Sequence, residues 1–160
     1  MYKILSGCFV FMCSFVFSGC SDPVESCDYL SLSDVKVLAP GVMSSSFESR
    51  IPSNPTNFCV WKDSAGRDLL LINVGLETKN SPYDILQVFK GDDRVEYVIG
   101  AGTQAAALFS EKEGQDDLEM LMVGNRRWTL DMRSSLVGGE DSPEFQQLVV
   151  LANKTLANLD

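Results

Sequence analysis

The sequence contains no histidine. Histidine is the commonest general base and a frequent metal ligand, so its absence removes the usual starting point for acid–base or metal chemistry. The G-x-S-x-G elbow of serine hydrolases is also missing. The carboxylate pairs at 92–93, 116–117 and 140–141 fall in predicted loops or strand ends, where solvated charge is typical. We therefore predict that the protein is not an enzyme and has no cofactor and no metal site.

Basic residues are scarce, with 13 Lys and Arg against 22 Asp and Glu. Lys3 is the only charged residue among the first 19, so the chain from residue 20 onward carries 12 basic and 22 acidic side chains, a net charge of −10. Such a surface repels phosphate backbones and anionic headgroups. We therefore predict that nucleic acid is not a partner.

The N-terminus carries an apolar run that is short for a membrane span. Ile4 to Phe17 has no charged residue and follows a single lysine, whereas a spanning helix needs about 20 apolar residues. A basic start, a short apolar run and small residues describe a secretory signal peptide. Ser18-Gly19-Cys20 resembles the lipobox of bacterial lipoproteins, which implies cleavage before Cys20 and acylation of its sulfur. The alternatives are an ordinary cleaved signal or an uncleaved anchor, with Cys20 a bystander.

This interpretation divides the chain into three parts. Residues 1–19 are the predicted signal peptide, residues 20–26 the acylated tether and residues 27–160 a single domain. The mature chain has 141 residues, which is the size of one ordinary domain. The six residues 21–26 reach at most about 20 Å when extended, so the domain is expected close to its membrane.

Two cysteines remain after the predicted processing. Cys8 and Cys13 leave with the signal and Cys20 is acylated, so Cys27 and Cys59 form an even pair in an exported chain. We predict a disulfide between them. Two free thiols or a metal site are the alternatives, although a zinc site would lack further soft ligands.

Periodicity and turn signals predict an α+β domain. Short helices are expected at Leu30–Leu38, where Ser31 and Asp34 approximate a capping box, and from Ser81-Pro82 to Gly91. A C-terminal amphipathic helix begins at Ser142-Pro143. Strands are predicted at residues 58–61, 68–76, 94–99, 103–110, 118–123 and 127–132. The domain is thus expected to hold a largely antiparallel sheet of about five to six strands with three helices.

Ala39 to Asn57 is predicted to be a surface loop, because it has little periodicity and is rich in Ser, Pro and Asn. Long loops within compact domains are often functional. Met43, Phe47 and Ile51 are its apolar residues and are candidate binding residues. The alternative is that all three fold back and cover the edge of the sheet. Trp61 and Trp128 fall on predicted strands, where core packing is expected.

Several features together resemble a family of small exported lipoproteins of unknown function, best known from actinobacteria. They are Cys20, Cys27 before a short helix, Cys59-x-Trp61 opening a strand, Gly100-x-Gly102, a strand hairpin and the C-terminal helix. The resemblance implies the Cys27–Cys59 disulfide and an α+β fold, and it implies no activity.

The predicted function is therefore a cell-envelope protein, exported and held to a bacterial membrane through acyl chains on Cys20. It would act as a non-enzymatic binding module for an envelope protein or an apolar ligand. The alternative is an inhibitor or immunity lipoprotein that neutralises a toxin or hydrolase, because an acidic surface suits a basic cleft.

Overall fold

Alternating and apolar segments of the chain pair into one antiparallel sheet, and three helices pack on it. The computed structural model describes residues 27–49, 57–91, 93–112 and 115–160. The strands are β1 Ser44–Ser49, β2 Asn57–Lys62, β3 Asp68–Leu76, β4 Arg94–Tyr97, β5 Gln104–Lys112, β6 Gln115–Gly124 and β7 Trp128–Arg133. The helices are α1 Leu32–Val35, α2 Pro82–Phe89 and α3 Pro143–Leu159. The predicted α+β class with an antiparallel sheet and a C-terminal helix is confirmed.

The strands lie in the order β1-β2-β3-β7-β6-β5-β4, and every neighbouring pair is antiparallel. β1 and β4 are therefore the two edge strands. The predicted hairpin of β2 and β3 is present, with Cys59 opposite Ile72. The hairpin of β6 and β7 turns at residues 125–127, as the Gly124-Asn125-Arg126 signal predicts.

The sheet has two faces with different covers. Ala105 and Ala107 of β5 belong to the main core, together with Phe145 and Leu148 of α3. The main core also contains the buried Val35 of α1. Since alternate residues of a strand point to opposite faces, we call this side the helix face. Ala106 packs with Leu86 of α2 on the other side, which we call the opposite face.

The helix starts follow from their capping residues. Ser31 and Asp34 form the predicted capping box at α1, in which each side chain binds the other's backbone N–H. Ser81 and Ser142 cap α2 and α3, and a proline follows each of them in the first turn. A capping side chain satisfies an N–H group that has no partner within the helix. These caps explain why the sequence signals place the starts correctly.

The sheet has one strand more than the predicted five to six allow. The additional strand, β1, lies inside the predicted 39–57 loop. β1 has the sequence SSSFES, which offers one large apolar residue and no hydrophobic alternation. It forms a strand because its backbone pairs with β2 along all six residues, from Ser44 opposite Lys62 to Ser49 opposite Asn57. The sheet therefore has seven strands, and residues 44–49 are not a loop.

Two element ends also differ from prediction. α1 covers residues 32–35, and turns replace the last helical residues that were expected up to Leu38. β4 ends at Tyr97, two residues before the predicted end of this strand at Ile99, and the side chains of Tyr97 and Ile99 are 68% and 96% exposed. The chain bends at once after Ile99, where Gly100 adopts a positive φ of 85°.

Both tryptophans are buried in the helix-face core, as predicted. Trp61 lies edge-on to Tyr29 with 6.4 Å between ring centroids. Arg127 stacks its guanidinium 5.0 Å from the centroid of the Trp128 ring. Within the described part of the chain, neither indole N–H has a hydrogen-bond acceptor.

Candidate functional site: the open edge at β1

The edge strand β1 is the surface where the predicted binding residues lie. Its pairing with β2 begins one residue before the strand, because the N–H of Met43 donates to the carbonyl of Lys62 at 2.8 Å. Backbone groups alternate in direction along an antiparallel strand. Lys62 is paired with Ser44 and directs its carbonyl towards β1, so the N–H groups of Ser44 and Ser46 face β2 and those of Ser45 and Phe47 point outward.

Phe47 stands on the helix face of this edge. Phe47 lies directly opposite Cys59, whose side chain is in the helix-face core. Met43 precedes β1, and it bonds to the same Lys62 that is paired with Ser44, so the alternation of the strand does not extend to it. Met43 is 63% exposed and Phe47 is 37% exposed. Met43 is thus largely exposed and Phe47 partly covered, so both interpretations of these side chains stay predictions, and Ile51 lies outside the described residues.

The opposite face of the same edge is polar and internally paired. The Glu48 carboxylate accepts a hydrogen bond from the Ser46 hydroxyl at 2.5 Å and lies 2.7 Å from Lys62 Nζ. Lys62 also approaches Asp68 at 3.8 Å. The charge of Glu48 is thus balanced within the sheet, and the edge has one apolar face and one neutralised polar face.

The predicted disulfide joins the start of the described chain to the strand beside this edge. Cys27 and Cys59 are bonded, with 5.5 Å between their Cα atoms, a separation that a disulfide readily spans. Cys59 is 1% exposed and pairs with Phe47. The tether that would lead to Cys20 therefore leaves the domain next to β1, while Cys20 itself lies outside the described residues.

The other edge strand, β4, carries a charged cluster that sequence reasoning missed. The Arg94 guanidinium lies 2.7 Å from both the Glu96 and the Asp116 carboxylates. A hydrogen bond between Glu140 and Glu96 raises the pKa of Glu140 above its ordinary value. Desolvation and the charges of Glu96 and Asp141 raise this pKa further, and Arg94 opposes them. The cluster combines three segments that are far apart in sequence, around residues 94–96, 116 and 140–141, so no local motif could have indicated it.

An apolar groove runs between α1 and α3. Its volume is about 340 Å³, and Val37 and Val150 line it with their side chains 63% and 64% exposed. Lys154 Nζ binds the Asp34 carboxylate at 2.6 Å across it. Hydrogen bonds from Lys154 and Ser31 lower the pKa of Asp34, so this ion pair holds at neutral pH.

Ser33, which lines the groove, has a Ser-x-x-Lys spacing to Lys36. The hydroxyl of Ser33 lies 2.7 Å from the hydroxyl of Ser31, and the Lys36 side chain is exposed. Ser33 thus contacts Ser31, the residue that caps the start of α1.

Within the described residues, no helix is both long and apolar enough to cross a membrane. Over the same residues, Cys, Asp and Glu side chains form no group of three or more arranged to hold a metal ion.

The comparisons with known proteins add no family: no family model, no curated protein and no solved structure matches the chain. The resemblance to small exported lipoproteins therefore stays a prediction. The geometry of the β1 edge is the observation on which a functional proposal can rest.

Proposed function

We propose that this protein is a lipid-anchored binding module of the cell envelope, and that it binds its partner through the β1 edge without catalysing a reaction. Two exposed apolar side chains at an edge strand carry the proposal: Phe47 within β1 and Met43, which directly precedes it. An extended strand can add to such an edge, with its main-chain hydrogen bonds giving affinity and the side-chain contacts giving specificity.

The position of the disulfide supports the anchored part of the proposal. It joins Cys27 to β2, the strand that pairs with β1. The predicted tether would therefore start close to the proposed binding edge. With about 20 Å of extended chain between the acylated cysteine and Cys27, the β1 edge would work close to the membrane surface.

The binding surface is tested with a double variant, Met43→Ser with Phe47→Ser, in the full-length chain. A photo-crosslinking residue at Ser45 should trap a discrete partner in intact cells, and the double variant should lose that product. Because surface substitutions usually change stability by less than about 0.5 kcal/mol, the melting temperature should stay nearly constant.

The matched control is Val37→Ser with Val150→Ser, which removes two equally exposed apolar side chains from the α1–α3 groove. This variant should keep the crosslinked product. Loss of the product in both double variants, or in neither, would contradict a binding role for β1.

The anchor is tested by Cys20→Ser. The wild-type chain should incorporate labelled fatty acid and partition into detergent, because two or more acyl chains give stable membrane attachment. The variant should do neither, whereas Cys27→Ser, a control with an equal change of side chain, should still be labelled. Labelling of the Cys20→Ser chain at the wild-type level would rule out acylation at this position.

A further inference from the structure

Three connections of the chain meet at one end of the sheet. The N–H of Thr103 donates to the carbonyl of Gly124 at 2.8 Å, and the N–H of Glu77 donates to the carbonyl of Arg127 at 2.9 Å. These bonds bring together the end of β3, the connection between β4 and β5 and the turn between β6 and β7. We call the surface that they form, residues 76–81, 98–103 and 125–127, the turn end.

Large apolar side chains are exposed at the turn end. Ile99 is almost fully exposed, and Leu76 is more than half exposed. Tyr97 ends β4 beside Ile99 and stacks on Tyr83 of α2, with 4.0 Å between the ring centroids. Tyrosine is enriched at membrane–water interfaces, because its side chain has an apolar ring and a polar tip.

The two apolar points are far apart but belong to one broad surface. Leu76 ends β3 and Ile99 follows β4, and these strands are four spacings apart in the sheet, roughly 19 Å. The bend that carries Ile99 is held by Asn153 of α3, which bonds to both Gly100 and Gly102. A wide, rigid surface with separate apolar points suits a flat partner better than a small ligand.

Basic side chains are also exposed at the turn end. Its connections contain Lys79, Arg126 and Arg127 against Glu77, a net charge of +2. Asp160, after α3, is an acidic side chain beside them. Lys79 and Arg126 have no acidic partner among the described residues. Both side chains are therefore available to an anionic partner.

The other end of the sheet is acidic. The connection between β7 and α3 contains Glu140 and Asp141 and no basic residue, and it lies against Asp116 and Asp117. Arg94 pairs with Asp116, but acidic side chains outnumber basic ones there. Net charge alone predicts repulsion from anionic headgroups, whereas this distribution turns one end of the domain towards them.

We propose that the turn end rests on the surface of an anionic lipid bilayer, with Leu76 and Ile99 entering the headgroup region and the basic side chains contacting lipid phosphates. The inference rests on the anchor of the proposed function, because acylation of Cys20 would hold the domain at a membrane. Buried apolar side chains and basic residues near anionic lipids are the two contributions that hold peripheral proteins to membranes.

The predicted tether is long enough for this contact. Cys59, to which Cys27 is bonded, lies opposite the middle of β3, four residues from each end of that strand. Four residues correspond to roughly 14 Å, and residues 21–26 reach about 20 Å when extended. The tether therefore permits either end of the sheet to face the membrane, and the charge distribution selects the turn end.

This orientation leaves the β1 edge accessible. In the register of β1 and β2, Ser49 lies nearer the turn end than Ser44 does. β1 would therefore stand upright on the bilayer with its outward N–H groups exposed to a partner.

Fluorescence quenching in the full-length, lipidated chain tests the contact. Once Cys20 is acylated and Cys27 is bonded to Cys59, Ile99→Cys supplies a single free thiol for a fluorophore. On vesicles of phosphatidylethanolamine and phosphatidylglycerol that contain a nitroxide-labelled lipid, this fluorophore should be quenched. Val88→Cys is the matched control, because Val88 is also largely exposed but lies about 10 Å along α2 from the turn end. Its fluorophore should lose no fluorescence.

Charge reversal separates the proposed contact from insertion of the dye alone. Lys79→Glu with Arg126→Glu should abolish the quenching at residue 99, because one basic residue near an anionic surface contributes about fivefold to binding. Lys36→Glu with Lys90→Glu changes the net charge equally away from the turn end and should leave the quenching intact. Unchanged melting temperatures check the fold of both variants.

Equal quenching at residues 99 and 88, quenching at neither, or quenching at 99 that survives the reversal of Lys79 and Arg126 would overturn the inference. Trapping of a protein by a photo-crosslinking residue at position 99 would overturn it in favour of a protein partner. If the chain still floats with the vesicles in these cases, the anchor of the proposed function stands. A chain that does not float removes the anchor and this inference with it.

Discussion

At the scale of single residues, the bend between β4 and β5 depends on Gly102. Its φ is +53°, and a Cβ built there would lie 2.5 Å from the Gly124 carbonyl oxygen and 2.8 Å from Val123 Cγ1. Asn153 of α3 holds the same bend, accepting from the Gly102 N–H at 2.8 Å and donating to the Gly100 carbonyl at 2.6 Å. The glycine therefore lets the bend pack against β6 and α3 at once.

Gly102→Ala is expected to destabilise the domain more than Gly91→Ala. Gly91 has a nearly identical φ of +54° but open space around it, so its substitution costs only the left-handed strain of about 1–2 kcal/mol. At Gly102 overpacking adds about 1–3 kcal/mol. Urea unfolding of both variants measures the difference, and equal free energies of unfolding would show that the close approach at Gly102 has no energetic weight.

At the scale of elements, the strands and helices that could be predicted correctly are those whose sequence signal is local. β3 was predicted with the observed bounds because its apolar run sits in the middle of the sheet, and α3 because Ser142-Pro143 precedes a clear apolar stripe. β1 was missed because an edge strand needs no hydrophobic alternation when its partner strand supplies the pairing. Met43 and Phe47 could be named as binding candidates from composition, whereas the face on which Phe47 lies required the register.

The contact between β4 and the start of α3 should make stability depend on pH. The pKa of Glu140 in the folded protein is raised above 4.5 by its hydrogen bond to Glu96. The folded state therefore binds this proton more tightly than the unfolded state. The stability that this proton contributes is complete below the pKa of Glu140 in the unfolded state. It is lost as the pH rises through the pKa of Glu140 in the folded state.

Glu140→Gln should consequently raise the melting temperature relative to the wild type at neutral pH and have little effect near pH 4. The amide keeps a donor for Glu96 and removes a carboxylate that Glu96 and Asp141 repel. Glu77→Gln removes the same charge at the opposite end of β6 and should show no such pH-dependent difference. A constant difference between Glu140→Gln and wild type across this pH range would contradict the shared hydrogen bond.

At the scale of the whole molecule, the Cys27–Cys59 bond closes a loop that contains α1 and β1. The two residues are 32 positions apart, and closing such a loop stabilises the fold by roughly 3.5–4 kcal/mol on the chain-entropy relation. Cys27→Ala should lower the free energy of unfolding by a few kcal/mol, and Cys59→Ala, which also leaves a small gap in the core, by slightly more. Chemical denaturation of the oxidised and reduced wild type provides the reference, and a reduced protein as stable as the oxidised one would contradict this role.

The same bond decides where a mechanical load would enter the domain. For a chain anchored at Cys20, a pulling force arrives at Cys27 and passes through sulfur directly into β2. Because β2 is hydrogen-bonded to β1 on one side and to β3 on the other, the load on that strand would be shared by the backbone bonds of both pairs. Once the bond is reduced, the force instead travels along residues 28–31 into α1, a four-residue helix that can be peeled away one hydrogen bond at a time. Oxidation thus changes the weakest link between membrane and sheet from a single helical turn to a whole strand.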